Sequence, residues 1–376
     1  MCNKGLAMRN YYYFAILLLL SGCATMGDVT SFKSGADTGN LQEKERRLWH
    51  EAAGFDATIE RSDQIYNDKK ATAYLQSVMD RMYPEFKGKI LVHIYDSTEL
   101  NAFALPNGSI YFNIGLLSRM ENEAQLAAVM AHEATHFIEK HSFQQRVSTK
   151  NSAAFAVSGI PFASLAAASS ISGFSQDLER EADTMGYARL VKSGYDPREA
   201  HKIFQYLADE VQALNIEEPY FFSSHPQLVE RIDEFKRLSA NHKGGGRIGS
   251  KSYNRIITPI RLETLRKDIG QDRYQSVILV MEDSKKRRYY PAAGYYYLGE
   301  AYLRRDENGD MNRALKAYQK AAKHSPNFAP TYKRLGMYYL KKGEKNKARY
   351  NFKLYLSLAP KNARDRTYVE QYMNTL

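Results

Sequence analysis

In "HEATHFIEKH", residues 132–141, His132 and His136 stand four positions apart. Four helical residues advance about 400°, so both imidazoles leave nearly one face, one turn apart. That spacing suits two ring nitrogens on a single zinc ion at roughly 2.0–2.1 Å. Glu133, next to the first histidine, can reach a metal-bound water as a general base. The chemistry within reach is attack by an activated water on a polarised carbonyl. His141 lies nine residues from His132, about 900° round, and is expected on the opposite side as a surface or helix-end histidine. Glu139 is closer in angle but two turns along, too far to share the ion.

Two histidines leave such a site incomplete. The pattern that adds a glycine and a third histidine at fixed offsets is excluded, because Glu139 and Ser142 occupy those positions. A carboxylate is available instead in "EREAD", residues 179–183. Glu179 and Asp183 are four apart and share a helix face. Glu179 can complete a His₂Glu set with one position left for water. Asp183 can then hydrogen-bond the outer ring nitrogen of a ligand histidine. Glu181 is the rival ligand, pointing about 200° away from Glu179. The expected cofactor is one Zn²⁺ per chain.

Periodicity indicates the elements that must position these groups. Residues 121–146 read as one long helix with Leu126, Val129 and Met130 along one side. Residues 42–83 read as two helices, and 179–193, 197–214 and 226–240 as three more. The runs 89–95 and 109–115 are β-rich, the second introduced by the turn residues "PNG". The uncharged stretch 151–176 contains many serines, two glycines and Pro161. It reads as a buried helix plus a mobile apolar loop near the site, not as a membrane span.

The chain has 376 residues, enough for two domains, with 53 Lys+Arg and 42 Asp+Glu. Residues 241–376 hold 29 basic and 12 acidic side chains, which leaves 24 and 30 for residues 1–240. A change of charge sign at one point indicates two modules with different surfaces. It falls on "NHKGGGRIGSKS", residues 241–252, expected to be a linker. Beyond it, Tyr295, Leu298, Gly299 and Tyr302 are followed by Ala314, Tyr318, Ala321 and Pro326. Tyr332, Leu335, Gly336 and Tyr339 are followed in turn by Ala348, Phe352, Tyr355 and Pro360. The first copy carries three extra residues in its turn. The pattern resembles a pair of tetratricopeptide repeats, helix pairs brought close by small residues.

At the N-terminus, Lys4 and Arg9 accompany an apolar run too short to span a bilayer. The run ends in "LSGC", which resembles a bacterial lipobox. The resemblance implies cleavage before Cys23 and lipid on its sulfur, and Ala24 after it favours the outer membrane. The chain has only two cysteines, Cys2 and Cys23. Thiol catalysis is therefore excluded in the mature protein.

The segments "NAFALPNGSIYFNIGLL", "NEAQLAAVMAHEATH", "EREAD" and "SHPQLVERI" occur in the order expected of the CAAX-prenyl-protease-like zinc metallopeptidases, which this chain resembles. With signal, lipobox and repeat tail, it is similar to that family's periplasmic branch. The resemblance implies an α+β fold: a signal peptide (1–22), a lipidated tether (23–42) and a mostly helical gluzincin-type peptidase domain with a small β-sheet (43–240). A Gly-rich linker (241–254) and an all-α repeat domain (255–376) follow. The resemblance also places His225 near the metal, stabilising an oxyanion or latching the open position. Arg231 is expected to orient the substrate or hold the local structure. The strand carrying Ser109, Ile110 and Tyr111 is expected to be an edge strand that pairs with an extended substrate backbone.

The implied function is a lipid-anchored zinc endopeptidase on the periplasmic side of the outer membrane. It would act on misfolded or stalled envelope proteins and dock to an envelope partner through its repeats. The alternative is an assembly chaperone or scaffold whose metal site is latched. An exported lipoprotein without nucleic-acid motifs leaves no nucleic-acid partner. The basic runs at 285–288 and 341–347 suit anionic headgroups, an acidic partner or plain solvent.

Overall fold

The computed structural model describes residues 31–32, 42–150, 174–214, 228–240 and 242–376. The signal peptide, Cys23, the apolar stretch 151–173 and His225 lie outside the described residues. Among the described residues, no helix is long and apolar enough to cross a membrane.

Two helices open the fold, α1 (Glu43–Arg61) and α2 (Lys69–Met82). The Asp68 side chain caps α2 by accepting from the amides of Lys70 and Ala71 at 2.9 and 3.0 Å. A three-stranded sheet follows: β1 (Leu91–Tyr95), β2 (Ala102–Ala104) and β3 (Ser109–Asn113), in the order β1-β3-β2. β3 pairs parallel with β1 and antiparallel with β2. The tight β2–β3 connection needs Gly108, which sits at φ +95 against the Lys89 carbonyl.

This topology corrects the edge-strand expectation. β3 is central, and all five of its residues are buried. Ser109 and Tyr111 donate hydrogen bonds to Asp56 of α1. Ile110 enters the core on the other face. With both edges of β3 already paired, Ser109, Ile110 and Tyr111 have no backbone to offer a substrate. Sequence reading missed β2, the three-residue edge strand beside β3.

Short α3 (Ile114–Arg119) leads to α4 (Glu123–Ile138), buried on every side rather than along one stripe. Asn122 caps α4 by accepting from the Gln125 amide at 3.0 Å. The expected single helix over 121–146 is broken. Lys140 has φ 58, and a new helix α5 (His141–Lys150) starts beyond it. Helices α6 (Gln176–Lys192), α7 (Ala200–Leu214) and α8 (Leu228–Ala240) complete this half.

The expected linker is pinned to the body of the protein. Arg247 and Gly194 are joined by a 2.8 Å backbone bond, the Ala124 amide donates to Ile248, and Arg247 pairs with the buried Glu123 at 2.8 Å. At Gly246 a Cβ would lie 2.4 Å from the Tyr195–Asp196 backbone. Gly246, and Gly249 against the Glu123 side chain at 2.6 Å, serve close approach here, not flexibility. Helix α9 (Ser250–Gly270) then sends Tyr253, Ile257 and Ile260 into the core beneath the sheet, and Leu265 and Ile269 into a second core.

That second core joins α10 (Tyr274–Glu282), α12 (Gly294–Arg305), α13 (Asp310–His324), α14 (Ala329–Lys341), α15 (Lys345–Leu358) and α16 (Arg366–Thr375), with the short α11 (Ser284–Arg287) outside it. A Cβ on Gly299 would meet Tyr318 at 2.4 Å, and one on Gly336 would meet Phe352 at 2.4 Å. The same small-against-aromatic contact therefore closes both helix pairs at the positions matched in the sequence.

A buried ionic cluster lies where the two cores meet. Arg119 pairs with Glu210 at 2.9 Å and approaches Asp268 at 3.7 Å. Burial pushes the Asp268 carboxyl up to about 6, against the pull of Arg119 and Arg273. A carboxyl raised on folding stabilises at low pH and loses that contribution as pH rises from about 4 through 6. The contribution is of order 3 kcal/mol at about 1.4 kcal/mol per tenfold change. Asp268→Asn should therefore flatten the dependence of unfolding free energy on pH between 4.5 and 7.5. Urea titrations at the two pH values, on both proteins, measure this.

Candidate metal centre

α4 and α6 carry the site, and a glycine sets their separation. Glu179, Asp183 and Gly186 recur along one face of α6. A Cβ on Gly186 would lie 3.1 Å from the His132 amide nitrogen and 3.2 Å from the Ala131 carbonyl carbon. Its absence lets α6 press onto α4, so the two carboxylates upstream reach the histidines. Gly186→Val should separate the helices, cost about 1–3 kcal/mol and weaken metal binding. Thermal melts of the metal-free protein and chelator competition test the two effects separately.

His132 Nε2 lies 3.0 Å from His136 Nε2, and Glu179 lies 3.6 and 3.4 Å from the same two nitrogens. All three side chains are buried, and their donor atoms fall within 4.8 Å of one another. Three ligands held about 2.0–2.1 Å from one tetrahedral ion would stand roughly 3.4 Å apart. The observed spacings and the two-nitrogen, one-oxygen donor set fit zinc. Glu133, one position along α4 from His132, is buried with them at 1% exposure.

The remaining groups hold these ligands. His132 Nδ1 lies 2.9 Å from Asp183 Oδ1, the role expected of Asp183. Arg231 of α8 grips Asp183 with two bonds of 2.8 and 2.7 Å and reaches Glu179 at 3.5 Å. Burial alone would raise the Asp183 carboxyl. The Arg231 guanidinium and the His132 hydrogen bond outweigh it and hold the group at about 2. Burial, reinforced by Arg231, pushes His132 below its ordinary value and keeps the imidazole neutral, as ligation requires. Arg231 is itself buried behind the ligands, over the Phe204 ring at 4.6 Å. Of its two expected roles, this placement matches holding the local structure.

His141 departs from expectation. It is fully buried, with Nδ1 only 2.9 Å from His136 Nδ1. The turn at Lys140 brings it back to the site, so the helical-angle argument does not apply. Phe174 stacks on the His136 ring, 4.0 Å between ring centroids, and meets the His141 ring edge-on at 6.2 Å. Glu181, the rival ligand, faces His141 at 3.4 Å and is not among the three clustered donors. A small pocket beside His136 is lined by Leu48, Trp49, Pro106, Phe137 and Phe143 together with the Glu45–Lys140 ion pair.

Residues 69–239 match the family model described as Peptidase family M48. The beta-barrel assembly-enhancing protease of Yersinia pestis is 26% identical over 213 residues, 51% of this chain and 44% of that protein. Its namesake from Escherichia coli (strain K12) is 28% identical over 192 residues, 46% of this chain and 39% of that one. The mitochondrial metalloendopeptidase OMA1 of Schizosaccharomyces pombe is 32% identical over 156 residues, 38% and 44% of the two chains. The chain spans less than half the length of each of these relatives.

Proposed function

We propose, from the match of residues 69–239 to the Peptidase family M48 model, that the chain is a zinc-dependent endopeptidase acting on unfolded or misfolded proteins of the cell envelope. The observation that carries this reading is the convergence of His132, His136 and Glu179 beside the buried Glu133. Zinc, when bound there, supplies Lewis acidity and a water of lowered pKa. Glu133 takes a proton from that water through its carboxylate and delivers it to the departing amine nitrogen. His225 is the proposed donor to the developing oxyanion, or the group that latches the site at rest.

β2 takes the substrate-pairing role first assigned to β3. Among the described residues it is hydrogen-bonded to β3 on one side only. Its length and its place beside α4 suit an extended segment laid along Ala102–Ala104. Such pairing reads backbone rather than side chains, which favours unfolded stretches of many sequences.

The basic helical half is the proposed docking module, with repeats of the tetratricopeptide kind, for an acidic envelope partner. Lipid on Cys23 would hold the protein on the periplasmic side of the outer membrane. A scaffold reading is favoured by one observation: Tyr350 and Tyr368 stand 65% and 64% exposed on a surface rich in lysine and arginine. Digestion of an unfolded model protein separates the two. Cleavage that needs bound zinc supports the peptidase. Zinc bound without cleavage points to the scaffold or to a latched site, and replacing His225 then releases activity only if it is latched.

A further inference from the structure

We propose that His141 is a positioning residue for His136, and that Glu181 anchors it in turn. This inference rests on the reading that His132, His136 and Glu179 hold zinc. For His136 to offer the Nε2 lone pair that faces His132 and Glu179, its ring proton must sit on Nδ1. That proton needs an acceptor, and His141 Nδ1 lies 2.9 Å away with the two rings nearly perpendicular, at 79°. His141 then carries its own proton on Nε2, which faces Glu181 Oε2 at 3.4 Å. The contact is long for a hydrogen bond, and a small rotation of the partly exposed glutamate closes it. Each link of the chain His136–His141–Glu181 thus has one donor and one acceptor.

The two ligand histidines are held in different ways. His132 leans on a carboxylate that Arg231 keeps ionised. His136 leans on a neutral imidazole whose outer end meets a carboxylate 45% exposed to solvent. One support is sealed in the core, while the other reaches the surface within three side chains. Phe174 closes the open face of the His136 ring, so the ring can turn only by breaking the bond to His141.

The test is zinc affinity by chelator competition on the full chain. Wild type, His136→Ala, His141→Ala, His141→Asn and Glu181→Ala are compared, with visible spectra of the cobalt-loaded forms. His141→Ala should bind zinc about 10–100-fold more weakly and alter the cobalt spectrum. His141→Asn, whose carboxamide oxygen can accept the same proton, should recover most of the loss. Glu181→Ala, which removes the acceptor at a partly exposed helix position, should weaken binding several-fold without affecting the fold. Wild-type affinity in His141→Ala overturns the proposal. Should that variant fail to fold, wild-type affinity in Glu181→Ala and a failure of Asn to outperform other folded replacements overturn it instead. A wild-type chain that binds no more zinc than His136→Ala would defeat the metal reading itself, a distinguishable result.

Discussion

Glu133→Gln is expected to lower peptide hydrolysis by about 10²–10⁴-fold with zinc content unchanged. The glutamine keeps the size and helical preference of the glutamate, and α4 is buried around it, so the ligands stay in place. What it cannot do is take up a proton at neutral pH. The three donors that converge are His132, His136 and Glu179, and Glu133 is not one of them. Turnover of an unfolded substrate, measured with metal content on the same samples, decides the matter. A variant that cuts at the wild-type rate would end the general-base assignment. One that loses zinc would instead make Glu133 part of the metal's support.

The second large effect concerns stability. Arg231→Met should destabilise the metal-free protein by about 3–5 kcal/mol and weaken zinc binding with it. The guanidinium lies between Asp183 and Glu179, all three nearly inaccessible to water. Without it, Asp183 loses the main group that keeps it ionised against burial. A double replacement, Arg231→Met with Asp183→Asn, should be more stable than Arg231→Met alone, because no buried carboxylate is then left without a cation at that position. Denaturant unfolding measures the cycle. If Arg231→Met raises KM while stability and zinc affinity hold, the arginine belongs to the substrate and not to the frame.

The legible and illegible parts of this molecule differ in physical kind. His132, His136, Glu179 and Asp183 were readable because helical spacing converts sequence distance into angle. His141 was misplaced by the same rule, since the rule assumes an unbroken helix and nothing at Glu139–Lys140 is glycine or proline. The strand at Ser109–Asn113 was readable from β-rich composition. Its central place was not, because sheet order depends on a partner of three residues, Ala102–Ala104, too short to show alternation. Gly246 and Gly249 suggested a linker because composition cannot tell a glycine that frees the backbone from one that lets another backbone come near. The matched spacing of Gly299 with Tyr318 and Gly336 with Phe352 was visible early, because it occurs twice. Gly186, which sets the distance between the site's two helices, occurs once and carries no such signal.

Helix α9 serves as a shared beam. Its first half seals the underside of the sheet module, with Tyr253 bonded to the Leu117 carbonyl and Arg261 to those of Ser118 and Met120. Its second half is the floor of the helical tail. A chain cut at residue 240 would therefore expose α3 and strip Tyr253, Ile257 and Ile260 from the core into which α4 packs. The half that carries His132, His136 and Glu179 cannot be prepared by truncation where the charge changes sign. A load on the tail, likewise, has no slack segment in which to dissipate before it reaches the sheet.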